Sequence, residues 1–120
     1  MATLERCGLA AVADAPASSL PIGLARMVEL ARATADPPKA LLLDEPTSGL
    51  DSTEAARLAD QIRDISRSAD CGVLLVEHDM EFVMGVCDRI VVLNLGQVIA
   101  AGTPEQVRAD DTVRTAYLGT

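Results

Sequence analysis

A chain of 120 residues with 18 acidic and 10 basic side chains carries a net charge of −8. That balance argues against electrostatic capture of nucleic acid or of an anionic lipid surface, while a nucleotide needs only local positive potential. The length sets one domain at most, and the apolar fraction of 49%, with one Phe, one Tyr and no Trp, describes a globular core built from Ala, Leu and Val. No apolar run reaches the ~18–20 residues of a membrane span, and Glu5 and Arg6 stand where a signal peptide would be apolar. Cys7, Cys71 and Cys87 are odd in number and widely spaced, which fits buried reduced thiols rather than a disulfide framework or a zinc site. A soluble, cytosolic chain is expected.

In chain order, "DAPASSLP" reads as a loop, and the first expected helix runs from Gly23 to Ala35, with apolar residues at Leu24, Met27, Val28, Leu30 and Ala31. Ala40 to Leu43 is an apolar run with turn signals beyond it, expected as a fully buried strand. After Asp51 the series Ala55, Leu58, Ala59, Ile62 and Ile65 marks a helix, and Asp51 with Glu54 forms a capping-box pattern at its start. Val73 to Val76 is a second expected buried strand, followed by a short helix from about Asp79 to Val86. "RIVVLNLGQVIAAG" breaks at Asn94-Leu95-Gly96-Gln97, a tight turn between two short strands. "TPEQV" then repeats the capping device, with Thr103 as cap, Pro104 at the first helical position and Gln106 reaching back.

Strands alternating with helices imply an α/β fold with parallel pairing. Ligands in such sheets sit at the carboxyl ends of the strands, which is where Asp44-Glu45 and Glu77-His78 fall. An acidic pair closing an apolar strand has a plain structural reading, in which the strand surfaces there. It also has a chemical one: Asp44 holds a hydrated Mg²⁺, and Glu45 polarises a water that attacks a phosphate. Pro46, the turn-permitting Gly49 and the helix cap Asp51 supply context for the second.

"LLLDEPTSGLD" resembles the Walker B segment and D-loop of the ATP-binding-cassette (ABC) ATPases, with six polar or special residues matched across eleven positions. "LLVEHDMEFVMGVCDRIVVLNLGQVIAAGTPEQV" resembles the same family's switch-histidine segment, hairpin and C-terminal helix, in wording most like the ATPase subunits of branched-chain amino acid importers. "SSLPIGLARMVELARA" stands where the signature LSGGQ and its helix would be, and "LERCGL" fits the end of the preceding helical subdomain. The resemblance covers nearly the whole chain. It implies a partial P-loop NTPase core of parallel strands and crossover helices, preceded by the end of the helical subdomain and followed by a β-hairpin and C-terminal helices. Residues 1–36 would be the end of the helical subdomain, and 37–120 the Walker B, D-loop, switch-histidine and C-terminal part. DNA-repair and chromosome-organising ATPases share some of these motifs, but the long heptad coiled coils that precede them are lacking here.

The resemblance assigns Asp44 to the magnesium ion, Glu45 to general-base duty and His78 to the γ-phosphate. Asp51 would signal across an ATP-sandwiched dimer, Gly23 would let backbone N–H groups approach a phosphate, and Glu77 would be structural. ATP and Mg are the implied cofactors. Transmembrane permease subunits are the implied partners, with the ATPase peripheral on the cytoplasmic face of the membrane. Two departures stand out. The signature is eroded, since Leu20-Pro21-Ile22-Gly23-Leu24 keeps the glycine but lacks the usual Ser and Gln. The phosphate-cradling G-x-x-x-x-G-K-[ST] is absent from these residues, whose one lysine, Lys39, lies between Pro38 and Ala40.

The expectation is therefore a C-terminal portion of a transport ATPase, inactive alone, completed by a P-loop-containing ATPase half or docked on an intact ATPase subunit. The alternative is a non-catalytic interaction or regulatory module, or a gene remnant. In the family's sheet the P-loop strand lies between the switch-histidine strand and the "RIVVL" strand, so this chain by itself would have a vacancy there. Each unpaired buried backbone group would cost about 1–3 kcal/mol against a typical stability of about 5–15 kcal/mol.

Overall fold

The computed structural model describes residues 1–68 and 70–118. Contacts divide the chain into two units, Met1–Glu77 and His78–Thr120.

In the first unit the 3.6-residue periodicity becomes two helices. After a short α1 (Ala2–Arg6), α2 spans Ile22–Ala33 and buries Gly23, Met27, Leu30 and Ala31. It ends two residues short of Ala35 for a local reason. Thr34 leaves helical geometry, its N–H and hydroxyl both donate to the Leu30 carbonyl (3.1 and 2.8 Å), and Pro37-Pro38 follows. Within "DAPASSLP", expected as plain loop, Ala17–Ser19 forms a single 3₁₀ turn.

β1 (Ala40–Asp44) and β2 (Gly72–Val76) are linked by α3 (Ser52–Ser68), whose buried face is Leu58, Ala59, Ile62 and Ile65. The capping box at its start is real: Asp51 Oδ1 accepts the Glu54 N–H at 2.8 Å, and Glu54 Oε2 accepts the Asp51 N–H at 3.0 Å. β1 and β2 pair in parallel, Leu41 opposite Val73 and Leu43 opposite Leu75, and α3 packs against β2.

The expectation that both strands are fully buried is wrong. Leu42, Leu74 and Val76 are 73%, 63% and 56% exposed. Burial alternates along each strand, so one face of the pair is covered and the other is bare. An unbroken apolar run is the mark of a strand made to be covered on both faces, and the second covering layer is missing from these residues. Nor do the strands make one sheet: β1 pairs with β2, and β3 pairs with β4 in a separate antiparallel ladder.

The second unit begins with α4 (Met80–Val86), capped by Asp79, whose side chain accepts the Phe82 N–H at 3.1 Å. β3 (Ile90–Asn94) and β4 (Gln97–Gly102) form the expected hairpin. Both central turn residues are left-handed, Leu95 at φ 48° and Gly96 at φ 79°, the sense that matches strand twist. The register slips between Val92 and Leu93, leaving Ile99 as an extra, bulged residue.

A leucine at positive φ is strained, and Leu95 is 97% exposed, so nothing packs it there. Leu95→Asn is expected to stabilise the chain by about 1 kcal/mol, read as a higher urea midpoint with an unchanged slope.

α5 (Pro104–Ala109) starts on the complete capping box read from the sequence, with Thr103 and Gln106 bonded reciprocally at 3.3 and 2.9 Å. α6 (Asp111–Val113), capped by Asp110, continues as a wider π turn over Arg114–Leu118, and the Tyr117 hydroxyl donates to the Leu93 carbonyl. Phe82, Val83, Ile90, Val92, Val107 and Val113 are the buried hydrophobic side chains among the described residues of this unit.

All three cysteines are free. Cys7 and Cys71 are buried as expected, whereas Cys87 is only half-buried, a correction that follows from its place at the end of the short α4. Burial pushes the Cys7 and Cys87 thiols above the ordinary value, which keeps them neutral and slow to react at neutral pH. Alkylation of the native chain by iodoacetamide at neutral pH should modify Cys87 first and leave Cys7 and Cys71 until unfolding. Because the two folded thiols hold their protons more tightly than unfolded ones, stability should be undiminished at neutral pH and fall as pH rises through the thiol range.

Candidate functional site

The site is built on the turn leaving β1. Asp44 is the last residue of the strand, paired with Val76, and the Glu45 N–H extends the ladder by donating to the Val76 carbonyl at 2.8 Å. Glu45 is itself left-handed, at φ 45°. For a residue other than Gly this conformation is uncommon and persists where the surroundings hold it. Pro46, which is buried, has no N–H to place. The Ser48 N–H donates to the Glu45 carbonyl at 3.2 Å, and the Leu50 N–H to that of Thr47 at 3.0 Å. Gly49, at φ 80°, makes the last sharp bend before Asp51 caps α3. Asp44, Glu45 and Asp51 are all exposed, standing within one turn at the carboxyl end of β1.

Glu77, placed by the sequence in a structural role, has a definite one. Its Oε1 accepts the Thr47 N–H at 2.9 Å and the Thr47 hydroxyl at 2.5 Å. The sequence signal for it was faint, an acidic residue straight after an apolar strand. His78 is exposed and opens the second unit, one residue before the α4 cap.

Gly23 is buried, and the Glu54 carboxylate occupies the space where a Cβ would stand. At Gly49 an added Cβ would lie 2.7 Å from Ile22 Cδ1. The start of α2 and the turn before α3 therefore interlock through two side chains, Ile22 and Glu54, each seated on a glycine; the sequence marked Glu54 only as a capping partner and Ile22 only as part of the eroded signature. Gly49→Ala adds a clash to a left-handed strain and is expected to destabilise by about 2 kcal/mol, measurable by urea unfolding.

Among the described residues no three His, Cys, Asp or Glu converge as metal ligands. That donor set does not suit an ion caged by protein alone. Asp44, exposed at the strand end, is one carboxylate that could hold Mg²⁺, an ion that commonly keeps its waters and is bound through one or two carboxylates plus substrate phosphates.

A family model described as "Branched-chain amino acid ATP-binding cassette transporter" matches residues 97–120. The high-affinity branched-chain amino acid transport ATP-binding protein LivG of Escherichia coli K12 is 45% identical over 97% of this chain and 46% of its own length. BraF of Pseudomonas aeruginosa, which has the same description, is 42% identical over the same shares. The lipopolysaccharide export system ATP-binding protein LptB of Acidithiobacillus ferridurans is 39% identical, covering 97% of this chain and 48% of its own. Among solved structures, an ATP-binding cassette of an ABC transporter in its ADP conformation superposes with a TM-score of 0.86 at 28% identity, over 99% of this chain and 48% of that one. The cbiO1 protein of Clostridium perfringens, part of the ABC transporter complex cbiONQ, gives 0.83 at 29% identity, over 98% and 47%. The chain thus spans about half the length of the curated relatives it matches. It belongs to the ATP-binding-cassette family, as a C-terminal portion of the family's ATP-binding domain.

Proposed function

We propose that the chain supplies the Walker B, D-loop and switch-histidine portion of an amino acid import ATPase, and hydrolyses ATP only when a P-loop-bearing half completes it. The observation that carries this reading is the strained Glu45, set one residue beyond the β1–β2 ladder with its N–H and its carbonyl both hydrogen-bonded there. Strain of that kind persists where geometry matters to function.

In the completed site Asp44 would hold a hydrated Mg²⁺, which when bound would offset phosphate charge. The Glu45 carboxylate accepts a proton from the attacking water. His78 donates a hydrogen bond to the γ-phosphate, Asp51 faces the partner copy across the nucleotide, and the N–H groups at the start of α2 beside Gly23 approach the partner's phosphates. Assembly with transmembrane permease subunits would place the ATPase on the cytoplasmic face of the membrane.

The bare β1–β2 face supports the need for completion, because Leu42, Leu74 and Val76 form an apolar surface that a folded soluble protein ordinarily covers. Urea unfolding of the chain followed by far-ultraviolet circular dichroism tests the dependence. Mg-ATP is expected to leave the transition of the chain alone unmoved, and to raise it once the P-loop half is added. A nucleotide-induced shift in the chain alone would overturn the completion requirement and favour an independent binding module.

A further inference from the structure

In the turn from Glu45 to Leu50 three backbone donors go to backbone acceptors and one goes to a side chain, and that one identifies a further residue of the site. Glu45 donates to Val76, Ser48 to Glu45 and Leu50 to Thr47. Thr47 donates instead to a side chain thirty residues away, with its N–H and its hydroxyl converging on one carboxylate oxygen of Glu77. Both bonds are partly buried, where a donor that loses its acceptor is not freely re-solvated.

The two anchors of the turn come from consecutive residues. The Val76 carbonyl takes the N–H of Glu45, and the Glu77 side chain takes Thr47. They bracket Pro46, which can donate nothing. The left-handed Glu45 lies between the ladder and this clamp, and its conformation is one that reverts unless both sides are fixed.

We propose that Glu77 is a positioning residue of the ATPase site: by gripping Thr47 it holds the left-handed turn on which Glu45 stands. The functional meaning of this rests on the general-base role proposed for Glu45, while the clamp itself is tested without any turnover.

The test is nuclear magnetic resonance of the isotopically labelled full chain. The HN–Hα coupling and Cα shift of Glu45 report its left-handed backbone, and amide exchange at Thr47 reports the clamp. Glu77→Ala is expected to abolish the left-handed signature at Glu45 and to speed Thr47 exchange by on the order of tenfold or more, with α3 amides unchanged. Glu77→Gln keeps an oxygen acceptor at the same reach and should preserve both signals. Thr47→Val removes only the hydroxyl bond and should speed exchange at residue 47 by a smaller factor. If Glu77→Ala fails to fold, Thr47→Val and Glu77→Gln still decide. A left-handed signature kept in Glu77→Ala or lost in Glu77→Gln, or an unchanged amide in Thr47→Val, overturns the clamp. Normal turnover in Glu45→Gln would instead remove the general-base reading and leave the clamp standing, so the two failures are separable.

Discussion

In the completed ATPase, Glu45→Gln is expected to keep nucleotide binding and to lower turnover by about 10²–10⁴-fold, the range a positioned general base contributes. The substitution preserves length, Cβ and the left-handed backbone strain at φ 45°, so it removes the proton acceptor and little else. The informative measurement separates kcat from KM: a loss confined to kcat is the signature of an interaction made in the transition state. Turnover equal to the parent would remove Glu45 from catalysis, and a rise in KM with kcat intact would make it a binding residue.

The second large effect is expected at the bare strand face. Leu42 is 73% exposed and stands opposite Leu74, itself 63% exposed. In the chain alone Leu42→Lys replaces an exposed apolar side chain, so it should cost little stability and reduce self-association. In the completed domain the same lysine would be buried without a counter-charge, a penalty of about 3–5 kcal/mol, which weakens association with the P-loop half by more than about a hundredfold. Titration calorimetry with the P-loop half distinguishes the outcomes. Unchanged affinity would mean that this face stays open and that completion, if it occurs, uses another surface.

What the sequence revealed and what it hid divide along physical lines. The helices were legible because burial recurs at three- and four-residue steps, and both capping boxes because their partners are three residues apart. The hairpin turn was legible from Asn94-Leu95-Gly96-Gln97, although the strain at Leu95 was not, since leucine carries no sign of positive φ. The bare face of β1 and β2 was invisible because LLL and VLL read the same whether one face or two are covered. Glu77's grip on Thr47, and the seating of Ile22 and Glu54 on glycines, join residues about thirty apart that no local pattern links. Asp44, Glu45, Asp51, Gly23 and His78 were picked out by motif. The structure places the first four in one unit and shows that Gly23 already has a neighbour of its own.

The difference in strand pairing also bears on the order in which the chain gains structure. Ile90 of the hairpin meets Gly102 only twelve residues later, whereas Leu41 must wait for Val73, thirty-two residues on, with the whole of α3 formed between them. Closing the longer loop costs more entropy before any contact repays it. A hairpin closes in about 1–10 μs, so the C-terminal ladder should be complete while β1 and β2 are still apart. During that interval the apolar strands that end at Asp44 and just before Glu77 are the segments exposed to misassociation, and dilution or a chaperone should raise refolding yield more than any change to the hairpin.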